Sequence, residues 1–563
     1  MRLLSAFHRS ELLDHLSGEE YDLLIIGGGA TGSGVALDAA SRGLKTALVE
    51  KQDFAAGTSS KSTKLIHGGL RYLKQFEIAL VREVGRERAI VRRLAPHLVV
   101  PEKMLLPLIK GGTYGKLATS VGLMVYDVLA GVESADQRVM LSKEETLQKE
   151  PLLRQDLLEG AGYYAEYRTD DARLTLEVLK SAVKYGADCI NYVEVTDFLY
   201  RENEKGEKVI AGAICHDHIL GNTFQIWAKK VVSAAGPWAD ELRQKNESLQ
   251  GKRLHLTKGV HIVLPYEKMP IRQSIYFDVP DGRMIFAIPR GKVTYVGTTD
   301  TDYFGDKNHP RTSIQDVTYL LGGVNNIFPS LDLKVKDVVS SWAGLRPLIH
   351  EEGKSASELS RKDEIFVSPT GLITIAGGKL TGYRKMAERT VDMVLKKLGR
   401  KVRKTRTHTI SLCGGEFSGA QAVEAYKEDV LEVLRPHGLG PYYADYLVSN
   451  YGKQTDEILE TFQENIDEQL EPEWAMVRAE LDFAIHREMA HTLVDFFSRR
   501  TGRLYFDIES VKKWKTAVFE EMKKQFEWDE KRCKQELHWL EMAITEATEF
   551  TEETSAHPAP PMS

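Results

Sequence analysis

The spacing of apolar positions changes several times along the chain, and each change marks an element. Residues 23–26 (Leu-Leu-Ile-Ile) form an unbroken apolar run, the pattern of a strand buried on both faces. The run breaks at Gly27-Gly28-Gly29, and an Ala-rich helix is expected from about 30 to 42, ended by Gly43. A second strand is expected at 46–49. Two later stretches repeat the order of strand, glycine turn and helix, with turns at Gly236 and at Gly377-Gly378. Between them, residues 252–300 alternate apolar and polar side chains in several runs, which reads as antiparallel sheet. Helical spacing predicts helices at 1–20, 76–94, 171–185 and 383–398, then successive charged amphipathic helices from 420 to 544. The expected fold is therefore α/β. A Rossmann-like nucleotide-binding domain at 21–400 is interleaved with an antiparallel-sheet substrate domain at about 101–170 and 252–345. A C-terminal all-α domain at 401–545 follows, and the acidic, Pro-rich end at 546–563 is expected to be disordered.

The first turn carries chemistry. Gly27, Gly29 and Gly32 fit G-x-G-x-x-G, and Glu50 lies 21 residues after Gly29. In that pattern the first glycine makes the tight turn, the second lets backbone approach a pyrophosphate, and the third packs helix on strand. The helix start around Gly28, Ala30 and Thr31 offers N–H groups to the phosphates, and Glu50, followed by Lys51, reaches ribose hydroxyls. This much does not separate FAD from NAD. Three glycine turns favour FAD, whose isoalloxazine needs contacts far from the cradle. The hydroxyl-rich stretch 55–73 would ordinarily be a surface loop. With Thr58, Ser59, Ser60, Lys64 and Leu65 it also suits a chain lying along a phosphate and ribityl tail. Gly236 supplies a second contact. Gly377, Gly378, Lys379, Leu380 and Thr381 form a third, whose helix N-terminus would stabilise negative charge on a reduced flavin ring.

Composition narrows the class. Hydrophobic content of 42% and charged content of 28% suit a soluble globular protein, and a net charge of −6 gives no argument for nucleic acid. The four cysteines lie far apart without a C-x-x-C pair, which excludes a disulfide scaffold or a zinc ribbon. No metal site is expected: His486 and His491 are five apart rather than four, and His216 and His218 lack further ligands nearby. The N-terminus lacks the apolar core of a signal peptide, and no run approaches the roughly 20 apolar residues that span a bilayer. The best candidate, 121–132, is short and contains Asp127. The expectation is a cytoplasmic protein, or one that meets a membrane only from its surface. Seven of the eleven residues at 396–406 are basic, which reads as a solvated linker or as a patch attracted to an anionic membrane.

Several stretches together are specific: YDLLIIGGGATGSGVALDAASRGL, TSSKSTKLIHGGLRYL, AAGPWAD, KGVHIVLP, VGTTDTDY, SSWAGLRPL and AGGKLTGYRKMAE. Over nearly its whole length the sequence resembles the flavin-dependent, quinone-reducing glycerol-3-phosphate dehydrogenases. The resemblance implies FAD as cofactor, sn-glycerol 3-phosphate as substrate and a quinone as electron acceptor. It places Arg71, Tyr72, Arg346 and Lys379 around the substrate, and chemistry agrees, because Arg offers a two-pronged fork to a phosphate dianion. The implied reaction moves the C2 hydrogen as hydride to flavin N5 while the C2 hydroxyl loses its proton. His67, His261 and Lys379 are candidate acceptors for that proton, with Arg346 polarising the oxygen, and the sequence does not choose among them. Thr298-Thr299-Asp300 ends a strand near the pocket. Rival readings are a glycerophosphate oxidase using oxygen, an amine or amino-acid oxidase, and a non-catalytic flavoprotein whose basic run binds nucleic acid.

Overall fold

The computed structural model describes residues 4–67, 78–112, 138–350, 363–466 and 470–552. Two sheets organise it. In the first, Ile373–Gly377, Thr223–Ser233, Glu20–Ile26, Thr46–Val49 and Asp188–Ile190 lie side by side in that order, all parallel. Asp363–Val367 adds an antiparallel edge strand, and the hairpin Val193–Glu202 and Lys208–Asp217 pairs with the first half of Thr223–Ser233. The chain steps outward from Glu20–Ile26 in both directions, so the three glycine turns gather where the parallel strands end. Helix Ala30–Ser41 packs between Asp171–Lys184 and Tyr383–Lys397. Gly34 allows that approach, since a Cβ there would lie 2.9 Å from the Tyr383 ring.

The second sheet has ten strands, and nearly all its pairings are antiparallel. Leu254–Pro265 is its spine, flanked by Ser340–Ile349 and Val293–Gly297. Val100–Ile109 and Leu158–Arg168 extend it through Ser274–Asp278. Leu65–Ile66 joins its edge, so the hydroxyl-rich stretch leaves the cradle and enters the second sheet instead of looping into solvent. Helices from Ala420–Leu434 to Glu530–Thr548 follow. Their Phe496, Phe497 and Leu504 share one apolar core with Tyr295 and Trp342 of the second sheet.

The ends differ from the sequence expectation. The first element is a turn at Ala6–His8 followed by helix Arg9–Gly18. Near the C-terminus, helix Glu530–Thr548 runs on past 546, and Thr551 bridges to Ser313, whose neighbour Ile314 donates to the Thr551 carbonyl. The basic stretch 396–406 is tied to the cradle rather than solvated throughout. Arg400 pairs with Asp22, and the Thr405 hydroxyl donates to Asp38. The apolar segment 121–132 lies outside the described residues.

Candidate functional site

The cradle is closed by steric fit. Gly27 has φ +115°, and a Cβ on it would lie 2.5 Å from the Ala234 carbonyl oxygen, so the first glycine turn nests on the second. A Cβ on Gly32 would stand 1.9 Å from the Gly27 oxygen. The Gly28 N–H donates to Glu50 Oε2 at 2.7 Å, and the Gln52 N–H donates to Oε1 at 2.9 Å. Burial raises the Glu50 pKa above the usual carboxylate value. Across the turn, the first N–H of the cradle helix, from Ala30, donates to Ser59 Oγ at 3.0 Å.

A cavity of about 330 Å³ opens from this turn. Gly27, Gly29, Ala30, Thr31, Glu50 and Lys51 of the cradle contribute to its wall. Thr58, Ser59, Leu65, His67 and Gly236 also line it, as do Gly377, Gly378, Lys379, Leu380 and Thr381. His261 and Arg346 close it on the second sheet. Four residues expected at the cofactor stand off the wall. Gly28, where a Cβ would lie 2.8 Å from the Phe54 ring, and Gly32 sit behind the turn, and Ser60 is buried. Lys64 is buried with its ammonium 2.5 Å from Asp171 and 3.1 Å from the Ser60 carbonyl, because a charge out of water requires a partner. Arg71 and Tyr72 lie outside the described residues.

The part of the wall supplied by the second sheet follows from strand register. His261 pairs with Trp342 and Thr257 with Arg346, so positions 257, 259, 261 and 342, 344, 346 share one face. Two glycines leave room on that face. A Cβ on Gly344 would lie 2.4 Å from the Lys61 carbonyl oxygen, and one on Gly259 would strike the Arg346 guanidinium. That guanidinium donates to the Thr299 carbonyl and Asp300 Oδ1, both at 3.1 Å, and to Thr298 Oγ1 at 2.8 Å. The Thr-Thr-Asp run thus holds an arginine that itself reaches the cavity. His261 is buried, stacked on Trp342 at 4.8 Å, with Nε2 at 3.1 Å from Thr63 Oγ1. Burial, reinforced by Arg346 and Lys64, holds its pKa well below the ordinary value, so the imidazole is neutral.

Comparison with known proteins agrees with this architecture. Residues 22–384 match the family model described as FAD dependent oxidoreductase, and residues 405–533 match the C-terminal domain of alpha-glycerophosphate oxidase. The aerobic glycerol-3-phosphate dehydrogenase of Bacillus subtilis (strain 168) is 51% identical over 93% of this chain and 95% of its own length. This chain belongs to the aerobic glycerol-3-phosphate dehydrogenases. The Staphylococcus aureus (strain USA300) protein of the same name is 48% identical over 97% of this chain and 98% of its own. The solved glycerol-3-phosphate dehydrogenase of Bacillus halodurans, complexed with FAD, superposes with a TM-score of 0.83 at 43% identity, covering 98% of this chain and all of that one. L-alpha-Glycerophosphate Oxidase from Mycoplasma pneumoniae shares the fold, with a TM-score of 0.53 at 21% identity over 69% of this chain and 97% of that one.

For a glycerol-3-phosphate dehydrogenase of this FAD-dependent family, the glycine cradle fits the cofactor, since added side chains at Gly27 and Gly32 would strike backbone. Sequence reading missed several wall residues. Trp238, under the Lys51 ammonium at 4.3 Å, sits inside the AAGPWAD stretch and was legible there. Thr63 likewise lies inside the hydroxyl-rich stretch, whereas Asp171 and the wall at 193–195 carry no local signal. Among the bonds that fix the stretch 58–67 are Thr58 Oγ1 to the Leu345 carbonyl, Trp342 Nε1 to Ser62 O, Tyr295 hydroxyl to Thr63 O, and Thr381 Oγ1 to His67 O. Among the described residues no group of His, Cys, Asp and Glu could hold a metal ion.

Proposed function

We propose that this dehydrogenase oxidises sn-glycerol 3-phosphate at C2 to dihydroxyacetone phosphate and passes the electrons to a quinone at an anionic membrane surface. The observation that carries the reading is one cavity lined by Arg346, Lys379 and a neutral, buried His261. Two cations suit a phosphomonoester, and Arg346, already held by Thr298, Thr299 and Asp300, binds without reordering. Arg71 and Tyr72 carry the same substrate-binding role. His261 takes the C2 hydroxyl proton; its neutral ring is ready to accept, and the Thr63 hydroxyl and Trp342 fix its plane. FAD, held by the cradle, Glu50, the 58–65 stretch and the Gly377–Thr381 turn, supplies the two-electron acceptor for the C2 hydrogen. No helix among the described residues is long and apolar enough to cross a membrane. The membrane reading is supported instead by exposed Lys396, Lys397, Lys401 and Lys404, each contributing about 1 kcal/mol beside anionic lipid.

The test is an anaerobic absorbance spectrum before and after sn-glycerol 3-phosphate. Bleaching of the flavin by this compound, and not by glycerol or glycine, is expected. A flavin that stays oxidised would overturn the substrate assignment. The match to an oxidase's C-terminal domain makes oxygen the competing acceptor. Readmitted air decides: slow recovery hastened by a quinone analogue supports the quinone, and fast recovery with peroxide supports oxygen.

A further inference from the structure

The C-terminal helices reach the cofactor cradle through a buried cluster of charges. Asp53, three residues beyond Glu50, is buried in the loop that continues as the cavity wall at 55–59. Its carboxylate accepts both Nη1 and Nη2 of Arg500, at 2.7 and 2.8 Å, and Nε of Arg499 at 2.5 Å. Both arginines come from Asp495–Arg500, the only π-helical stretch among the described residues. Such turns often occur at functional sites.

The same turn grips the facing wall. Asp495 accepts the Tyr192 hydroxyl at 2.6 Å and Arg499 Nη2 at 2.7 Å. Tyr192 and Val193 in turn donate their N–H groups to the carbonyls of Gln52 and Glu50, both at 2.8 Å. Asn191 links the two sides, its amide donating to Asp53 Oδ1 and to the Met489 carbonyl. One C-terminal turn therefore sets the separation of the Glu50 loop from the 193–195 wall, the two surfaces between which a ribose held by Glu50 would lie.

We propose that the C-terminal helical domain retains FAD by its adenosine end, with Arg499, Arg500 and Asp495 as positioning residues acting through Asp53 and Tyr192. The proposal rests on the cradle reading and not on the substrate or the acceptor, so it fails or stands separately from them.

The test uses the full-length holoenzyme carrying Tyr192→Phe or Arg500→Lys. Release of FAD is followed by the fluorescence of freed flavin. ADP and riboflavin are then titrated separately into the apoproteins. Tyr192→Phe removes one hydroxyl and should speed release about three- to tenfold. Arg500→Lys keeps the charge but loses the two-pronged contact, and should speed release roughly ten- to a hundredfold. ADP should weaken in proportion while riboflavin holds within about twofold, because the network touches only the adenosine end. Wild-type release from the Tyr192→Phe protein would overturn the proposal. So would equal weakening of ADP and riboflavin, which marks a network that supports only the fold.

Discussion

The Arg346 guanidinium fills the space above Gly259: a Cβ there would stand 2.2 Å from Nη2. Gly259→Ala should therefore push the guanidinium off Thr298 and Asp300 while leaving the cradle untouched. The expected result is a loss of about a hundredfold in kcat/KM for sn-glycerol 3-phosphate, since small misplacements of a positioning group cost that much. Flavin content should be unchanged, and steady-state kinetics with the visible spectrum of the same sample checks both.

Gly32 meets backbone rather than a flexible side chain, 1.9 Å from the Gly27 oxygen to an added Cβ. Gly32→Ala should open the turn and yield protein purified without yellow colour. The ratio of flavin to protein absorbance reads this directly. A fully loaded Gly32→Ala protein would contradict the cradle's role.

His261→Asn removes the proposed proton acceptor while leaving the glycines and Glu50 in place. Flavin reduction in a stopped-flow instrument should slow about 10²- to 10⁴-fold, the range for loss of a general base. Because burial and the neighbouring cations keep His261 neutral, the wild-type rate should show no loss of this base as pH falls from 8 to about 6. Unchanged reduction in the variant would move the role to His67 or Lys379.

His97 is 1% exposed, and burial, with Arg173 and Lys180 nearby, pushes its pKa down to about 3. The unfolded chain takes up a proton near pH 6.5 that the native state refuses, so stability is lost as pH falls from about 6.5 toward 3. At pH 5 the loss from this group is about 2 kcal/mol. His97→Gln does not titrate, so its urea midpoint should fall less between pH 7.5 and pH 5 than that of the natural chain.

The sequence by itself determined the fold class, the glycine cradle and the stretches that line one cavity. These features are local. A strand, a turn that excludes Cβ atoms and a helix start are set by backbone sterics and by side-chain period within a few residues. Partnership across the chain was a different matter. Lys64 read as a cofactor contact from its motif, but its carboxylate partner Asp171 is 107 residues away. The Thr298-Thr299-Asp300 run showed its task only when a strand two places away in the sheet sent Arg346 across Gly259 to it. Asp53 and Arg500 are 447 residues apart, and nothing near either one names the other. A buried charge must find an opposite charge, but which one it finds depends on how the sheets and helices pack, and only the tertiary structure decided that.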